Sequence, residues 1–232
     1  YPFMALISDQ KTQCGGAFIK QDVVLTAAHC MNKDIDYNVK NFKVMLHRFR
    51  LDVDLDSDNS KPFSIQQVIF HPEYNFNKKS GTPNDIVILK INNDNLKEYL
   101  GINLNNMITL DDGKYSKVGE GAKLLGWGTT YKQLETNKKG KPSLVLKEMN
   151  LKLVNEKLCN FVGYKRGYNL CTQGLSMDDI PCKGDSGSPL FHLSEDTTLP
   201  VLVGLVSFGD LECKSYSAFV KISAYLDFIN EF

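Results

Sequence analysis

The sequence predicts an all-β fold, a sandwich or barrel finished by one short helix at its C-terminus, and three observations predict it. Short apolar or alternating stretches recur along the 232 residues and are separated by turn residues. Phe42, Val44 and Leu46 repeat with a period of two, as do Met149, Leu151 and Leu153, which is the mark of half-buried strands. Helical periodicity is absent until the end, where Ile222, Leu226 and Ile229 share a face that Tyr225, Phe228 and Phe232 widen.

The elements follow in chain order. Tyr1-Pro2-Phe3-Met4-Ala5-Leu6-Ile7 is already strand-like, so further sequence is expected upstream. Asp85–Leu89 and Leu202–Phe208 are continuous apolar runs, expected as strands covered on both sides. Three stretches read as exposed loops: Leu51–Lys61, Thr129–Pro142 with Lys132, Lys138, Lys139 and Lys141, and Leu110–Gly121, which also marks a junction between two halves. In the first, Asp52, Asp54, Asp56 and Asp58 alternate. An EF-hand needs Gly where Asn59 stands and a bidentate Glu where Ile65 stands, so a solvated acidic loop without metal is expected.

Charge and composition narrow the class. The 27 basic and 27 acidic residues cancel, so no global field draws the chain to nucleic acid or to an acidic membrane. The longest apolar runs are far too short to span a bilayer. Six cysteines stand at 14, 30, 159, 171, 182 and 213, none in a C-x-x-C pair, so a structural zinc site is not expected. Six cysteines allow three disulfides in any of fifteen pairings. Disulfides persist in oxidising compartments, which predicts a secreted, extracellular protein. No N-x-S/T sequon occurs.

Three segments carry chemistry. Leu25-Thr26-Ala27-Ala28-His29-Cys30 follows Cys14-Gly15-Gly16; Asn84-Asp85-Ile86-Val87 comes next; Cys182-Lys183-Gly184-Asp185-Ser186-Gly187-Ser188-Pro189-Leu190 is third. A serine hydroxyl is a poor nucleophile at neutral pH and needs a base within hydrogen-bond reach. A neutral imidazole takes that proton and returns it to the leaving amine, and a carboxylate fixes the imidazole's tautomer. In order and residue type, the three segments resemble the chymotrypsin/trypsin family of serine endopeptidases, over essentially the whole chain.

The resemblance implies two packed six-stranded antiparallel β-barrels with a C-terminal α-helix. Residues 1–112 would form the N-terminal barrel, bearing His29 as general base and Asp85 as orienting carboxylate. Residues 113–232 would form the second, bearing the nucleophile Ser186, the specificity pocket and the terminal helix. Gly184 and Ser186 would supply oxyanion-binding N–H groups. Cys14 would pair with Cys30, Cys159 with Cys171, and Cys182 with Cys213. Ser207 would hydrogen-bond Asp85, and Ser207 and Gly209 would pair with an extended substrate. No cofactor is implied. The expected partners are polypeptide substrates and protein protease inhibitors, bound by a monomer. His47, His71 and His192 lie in no comparable context and are read as structural.

The pattern departs from the family among the substrate-binding positions, which the resemblance assigns to Ile180, Pro181, Lys183, Ser207, Phe208, Gly209 and Ser217. Ile180 stands where trypsin-like members carry an aspartate, and offers a cationic side chain no partner. Large apolar or aromatic residues before the cut are therefore expected. A shift of one residue would bring Asp179 into the pocket and favour Lys or Arg instead. Ser188 replaces a glycine, Phe208 replaces a tryptophan, and the segment from Cys213 to Phe219 is short for the family. The family's activation implies an upstream Ile-Val- or Val-Val-like N-terminus whose ammonium pairs with Asp185. Without it, Asp185 would turn away and the oxyanion site collapse. A catalytically silent homologue, acting by binding, is the reading from another class.

Overall fold

A computed structural model describes residues 1–9, 12–31, 39–77, 81–92, 94, 96, 99, 108–129, 141–193, 199–210 and 212–232. Lys132, Lys138 and Lys139 of the predicted basic loop lie outside these.

Six strands form the first barrel: β1 (Met4–Ser8), β2 (Gln13–Lys20), β3 (Val23–Thr26), β4 (Lys43–Leu46), β5 (Lys61–Phe70) and β6 (Val87–Ile91). They close in the order β1-β2-β3-β6-β5-β4, every neighbour antiparallel. The alternation of Phe42, Val44 and Leu46 puts all three inside. β6 is buried on both sides, as its unbroken apolar run predicts, because its outer face is covered as well.

The second barrel uses β8 (Gly121–Gly126), β9 (Lys147–Val154), β10 (Asn169–Gly174), β11 (Pro189–His192), β12 (Val201–Gly209) and β13 (Tyr216–Lys221). The order β11-β8-β9-β10-β13-β12 is closed by pairing of β11 with β12. A two-strand-residue segment, β7 (Thr109–Leu110), adds to β12 in parallel from outside the ring. Met149, Leu151 and Leu153 point into this barrel's own core with Leu190, Val203 and Phe219.

The first core continues across the seam. Trp127, Phe191, Leu202, Leu205 and Val220 of the second half pack in one apolar cluster with the first barrel. This apolar contact, with the Phe3 and Phe191 rings 5.1 Å apart, packs one barrel against the other.

The terminal helix is shorter than the apolar face that predicts it. Ile222–Ala224 is a 3-10 turn, and the α-helix proper, α1, spans Leu226–Asn230. Ile222, Tyr225, Phe228 and Ile229 are buried in the first barrel's cluster. Phe232 departs from the expectation: it follows the last turn, stays 39% exposed, and its ring meets that of Phe228 edge to face.

The acidic loop also differs from a purely solvated one. Asp52, Asp54 and Asp56 face water, but Asp58 turns inward. Arg48, buried beneath the loop, donates to the Val53 carbonyl at 2.7 Å and the Asp54 carbonyl at 3.1 Å, and stands 3.4 Å from the Asp58 carboxylate. A fixed guanidinium thus fills the centre of the loop and takes up the oxygens turned toward it.

Candidate active site

His29 sits in a 3-10 turn, Ala28–Cys30, at the end of β3. Two constraints place it. The Cys14–Cys30 disulfide ties the turn to β2, and Asp85, just before β6, binds it twice. Asp85 Oδ1 accepts the His29 backbone N–H at 2.8 Å, and Oδ2 lies 2.8 Å from His29 Nδ1. A carboxylate held this way makes Nδ1 the protonated ring nitrogen, so that Nε2 carries the lone pair. Asp85 is 3% exposed, and its third contact comes from the other barrel: Ser207 Oγ donates to Oδ2 at 2.5 Å.

Ser186 is partly exposed at the wall of a cavity of about 380 Å³. The loop carrying it is pinned on three sides. Gly15 N–H donates to the Ser186 carbonyl at 2.8 Å, Gly187 N–H to the Val206 carbonyl at 2.8 Å, and the Cys182–Cys213 disulfide anchors its start. Gly187 has φ +76° and presses on Thr26 Oγ1, where any side chain would collide. Gly184 has φ +101°. Among the described residues, neither the Gly184 nor the Ser186 N–H donates to a protein acceptor, so both remain available to an outside oxygen. Ser188 is absent from the positive-φ residues, which is why a side chain is tolerated there. Its hydroxyl is buried with no hydrogen-bond partner among the described residues.

The third disulfide, Cys159–Cys171, closes the loop that carries Phe161 and Val162. These two line the Ser186 cavity with Pro181, Lys183, Ser207, Phe208, Gly209 and Ser217. Phe208 meets Phe161 edge to face at 6.0 Å, so the smaller aromatic wall is extended by a second ring. Gly81, Phe161, Val162 and Asp210 were not singled out in the sequence; Val162, 89% exposed, is an apolar residue inside a disulfide loop, a signal that does not reveal which cavity it faces.

Ile180 is placed elsewhere. It lines a neighbouring cavity of about 270 Å³ with Gly126, Gly128, Met149, Asp179 and Asp185. The chain is held to that side because Asp179 accepts the Asn150 N–H at 2.9 Å and the Ser176 hydroxyl at 2.7 Å. The cavity with Ser186 therefore receives neither Ile180 nor Asp179. Its one carboxylate among the described residues is Asp210. Burial alone would raise that group's pKa, but hydrogen bonds from Glu212 N–H, Lys214 N–H and the Ser215 hydroxyl outweigh burial and hold it low.

Asp185 is not turned away. It is 2% exposed, with Oδ1 accepting Gly128 N–H at 2.7 Å and Oδ2 accepting Cys182 N–H at 2.9 Å. No cation among the described residues lies within ion-pair distance. Burial pushes its pKa up to about 6 despite the two N–H donors.

The other histidines lie apart from this cleft. His47 packs on Tyr99, His71 on Tyr225 and Phe228, and His192 on Tyr115.

A family model, Trypsin, matches residues 1–229. The chain belongs to the trypsin family. Among curated trypsin-family relatives, it is 29% identical over 265 residues to CLIP domain-containing serine protease B4 of Anopheles gambiae, covering all of this chain and 66% of that protein. It is 29% identical over 201 residues to granzyme M of Rattus norvegicus, covering 82% and 68%. It is 26% identical over 236 residues to chymase of Cavia porcellus, covering 99% and 85%. The chain thus spans about two thirds of the length of the first two. A solved structure of neuropsin, a serine protease from mouse brain, superposes with a TM-score of 0.74 over 99% of this chain and 93% of its own, at 24% identity, which shows the shared two-barrel fold.

Proposed function

We propose that this trypsin-family chain is the catalytic part of a secreted serine endopeptidase that prefers a large apolar or aromatic residue before the cut. The observation that carries the reading is the triply held Asp85 behind His29, beside a cavity walled by Phe161, Val162, Pro181 and Phe208.

Ser186 Oγ attacks the substrate carbonyl while His29 Nε2 takes its proton, and Asp85 stabilises the resulting imidazolium. The carbonyl oxygen becomes an oxyanion, received by the Gly184 and Ser186 N–H groups. Donors of this kind contribute about 3–4 kcal/mol each to the transition state. The imidazolium returns its proton to the leaving amine, and water then resolves the acyl-enzyme by the same relay. The edge of β12 at Ser207 and Gly209 receives the substrate as an added strand.

The preference follows from the cavity wall. Among the described residues, an ammonium or guanidinium entering it would lose hydration and find only the carboxylate of Asp210, whose oxygens are already engaged by three donors. Asp185 supplies the activation element: a buried carboxylate with two N–H donors, no cation among the described residues, and an adjoining cavity of about 270 Å³. Secretion is supported by the three disulfides. Polypeptide substrates and protein inhibitors, met by a monomer, complete the reading.

A peptide-library digest read by mass spectrometry tests it, alongside Ser186→Ala and labelling by an organofluorophosphate. Cleavage after Leu, Phe, Tyr or Met, lost in Ser186→Ala, is expected. Exclusive cleavage after Lys and Arg would overturn the preference, and equal activity in the variant would overturn the assignment of Ser186.

A further inference from the structure

Asn84 stands immediately before Asp85 and holds φ at +62°, the left-handed region that residues other than Gly, Asn and Asp seldom adopt. It is buried and held from two sides. The Tyr225 hydroxyl donates to Asn84 Oδ1 at 3.1 Å, and the hydroxyl oxygen of Tyr225 accepts the Asn84 N–H at 3.2 Å. Opposite, Asn84 Nδ2 donates to the Glu73 carbonyl and to Glu73 Oε2, each at 3.3 Å. Tyr225 itself is 3% exposed. Its ring is fixed by edge contacts with His71 at 5.3 Å and Tyr168 at 5.7 Å, and its carbonyl accepts the Ile229 N–H inside α1. Burial holds the Tyr225 phenol far above its ordinary pKa, so it remains a donor at any working pH.

The position of this clamp gives it a role. Downstream of Asp85, β6 is locked between β3 and β5 and cannot adjust. Upstream, the backbone at Asn84 decides where the Asp85 carboxylate emerges, and the three bonds of Asp85 at 2.5–2.8 Å tolerate little displacement. Without the Tyr225 hydroxyl, the buried Asn84 N–H and amide oxygen lose their partner, and the backbone at Asn84 is free to leave the left-handed region. We propose that Tyr225, acting through Asn84, is a positioning residue for the Asp85–His29 pair and couples the C-terminal segment of the chain to the catalytic cleft. The inference rests on reading His29 and Asp85 as base and orienting carboxylate.

The test compares wild type, Tyr225→Phe, Asn84→Gly and the double variant, all below the lowest melting temperature of the four. Three quantities are read: the rate at which an organofluorophosphate labels Ser186, the pH profile of kcat/KM with kcat and KM separated, and the low-field proton resonance of His29 Nδ1. Tyr225→Phe is expected to lower labelling and kcat roughly tenfold at unchanged KM, as expected for a slightly misplaced catalytic group. The acid limb should move to lower pH, since a loosened carboxylate stabilises the imidazolium less, and the His29 resonance should weaken. Glycine adopts φ +62° without strain, so the double variant should recover most of the rate lost in Tyr225→Phe. A Tyr225→Phe protein with wild-type rate, acid limb and resonance would overturn the proposal. So would a rate loss that Asn84→Gly does not rescue and that leaves the acid limb in place. If wild-type Ser186 is not labelled at all, the reading of the catalytic trio fails, and the His29 resonance alone decides the clamp.

Discussion

Ser207 reaches from the second barrel to Asp85 of the first, its hydroxyl donating to the carboxylate at 2.5 Å. The bond crosses the seam of the molecule, so the placement of one barrel against the other is written directly into the orientation of His29. Ser207→Ala leaves a 3%-exposed carboxylate short of one hydrogen bond, and charge-assisted bonds of this type contribute about 1.5–3 kcal/mol. The expected outcome is a fall in kcat of roughly ten- to a hundredfold, with the circular dichroism spectrum unchanged. Steady-state kinetics on one peptide substrate checks it.

Asp185 makes stability depend on pH in the direction opposite to most carboxylates. Its folded pKa, about 6, lies above the ordinary 3.8, so the folded state binds its proton more tightly. That stabilisation is complete below the unfolded pKa and is lost as pH rises through about 6. A shift of about two units corresponds to roughly 3 kcal/mol. Urea denaturation of the 232-residue chain between pH 4 and pH 8, as an approximate window set by these values, should show Asp185→Asn with a flatter profile than wild type. An Ile-Val dipeptide, whose ammonium can pair with the carboxylate in the adjoining cavity, should remove the loss at neutral pH and speed the labelling of Ser186.

Arg48 is the internal cation of the acidic loop. Removing it in Arg48→Ala leaves Asp58, whose side chain is 7% exposed, without its counter-charge. Breaking a buried pair from one side costs about 3–5 kcal/mol, so a large drop in melting temperature is expected. Because the guanidinium already engages the inward-facing oxygens, calcium or a chelator should leave the wild-type melting temperature unchanged. A rise with calcium would place a metal in the loop after all.

Gly209 sits at the wall of the Ser186 cavity, paired with Ser217 across β12 and β13. A Cβ there would approach Ser217 Oγ at 3.2 Å and the Tyr216 carbonyl at 3.3 Å. Gly209→Val should close the space to large side chains and cut turnover of Phe and Leu substrates by about a hundredfold or more, while substrates with Ala lose far less. Parallel kcat/KM values for the two substrate sets decide this.

Much of the molecule was legible in the residues themselves. Alternation at Phe42, Val44, Leu46 and at Met149, Leu151, Leu153 sets strands, because a period of two can bury only one face of a pleated chain. His29, Asp85 and Ser186 were singled out because the segments around them resemble, in order and residue type, those of the chymotrypsin/trypsin family. Contacts between segments far apart in the chain were not legible. Nothing near Asp58 says that Arg48 will lie beneath it, nothing near Asn84 points to Tyr225, and the count from Cys182 places Ile180 beside Ser186 when Asp179's bond to Asn150 draws the chain to the Asp185 side. Strand pattern is a local property, so the sequence alone predicted an all-β chain, and its family resemblance supplied the two barrels and the candidate residues His29, Asp85 and Ser186. Which buried polar group meets which partner depends on how the two barrels and the terminal helix close together, and that only the tertiary structure decided.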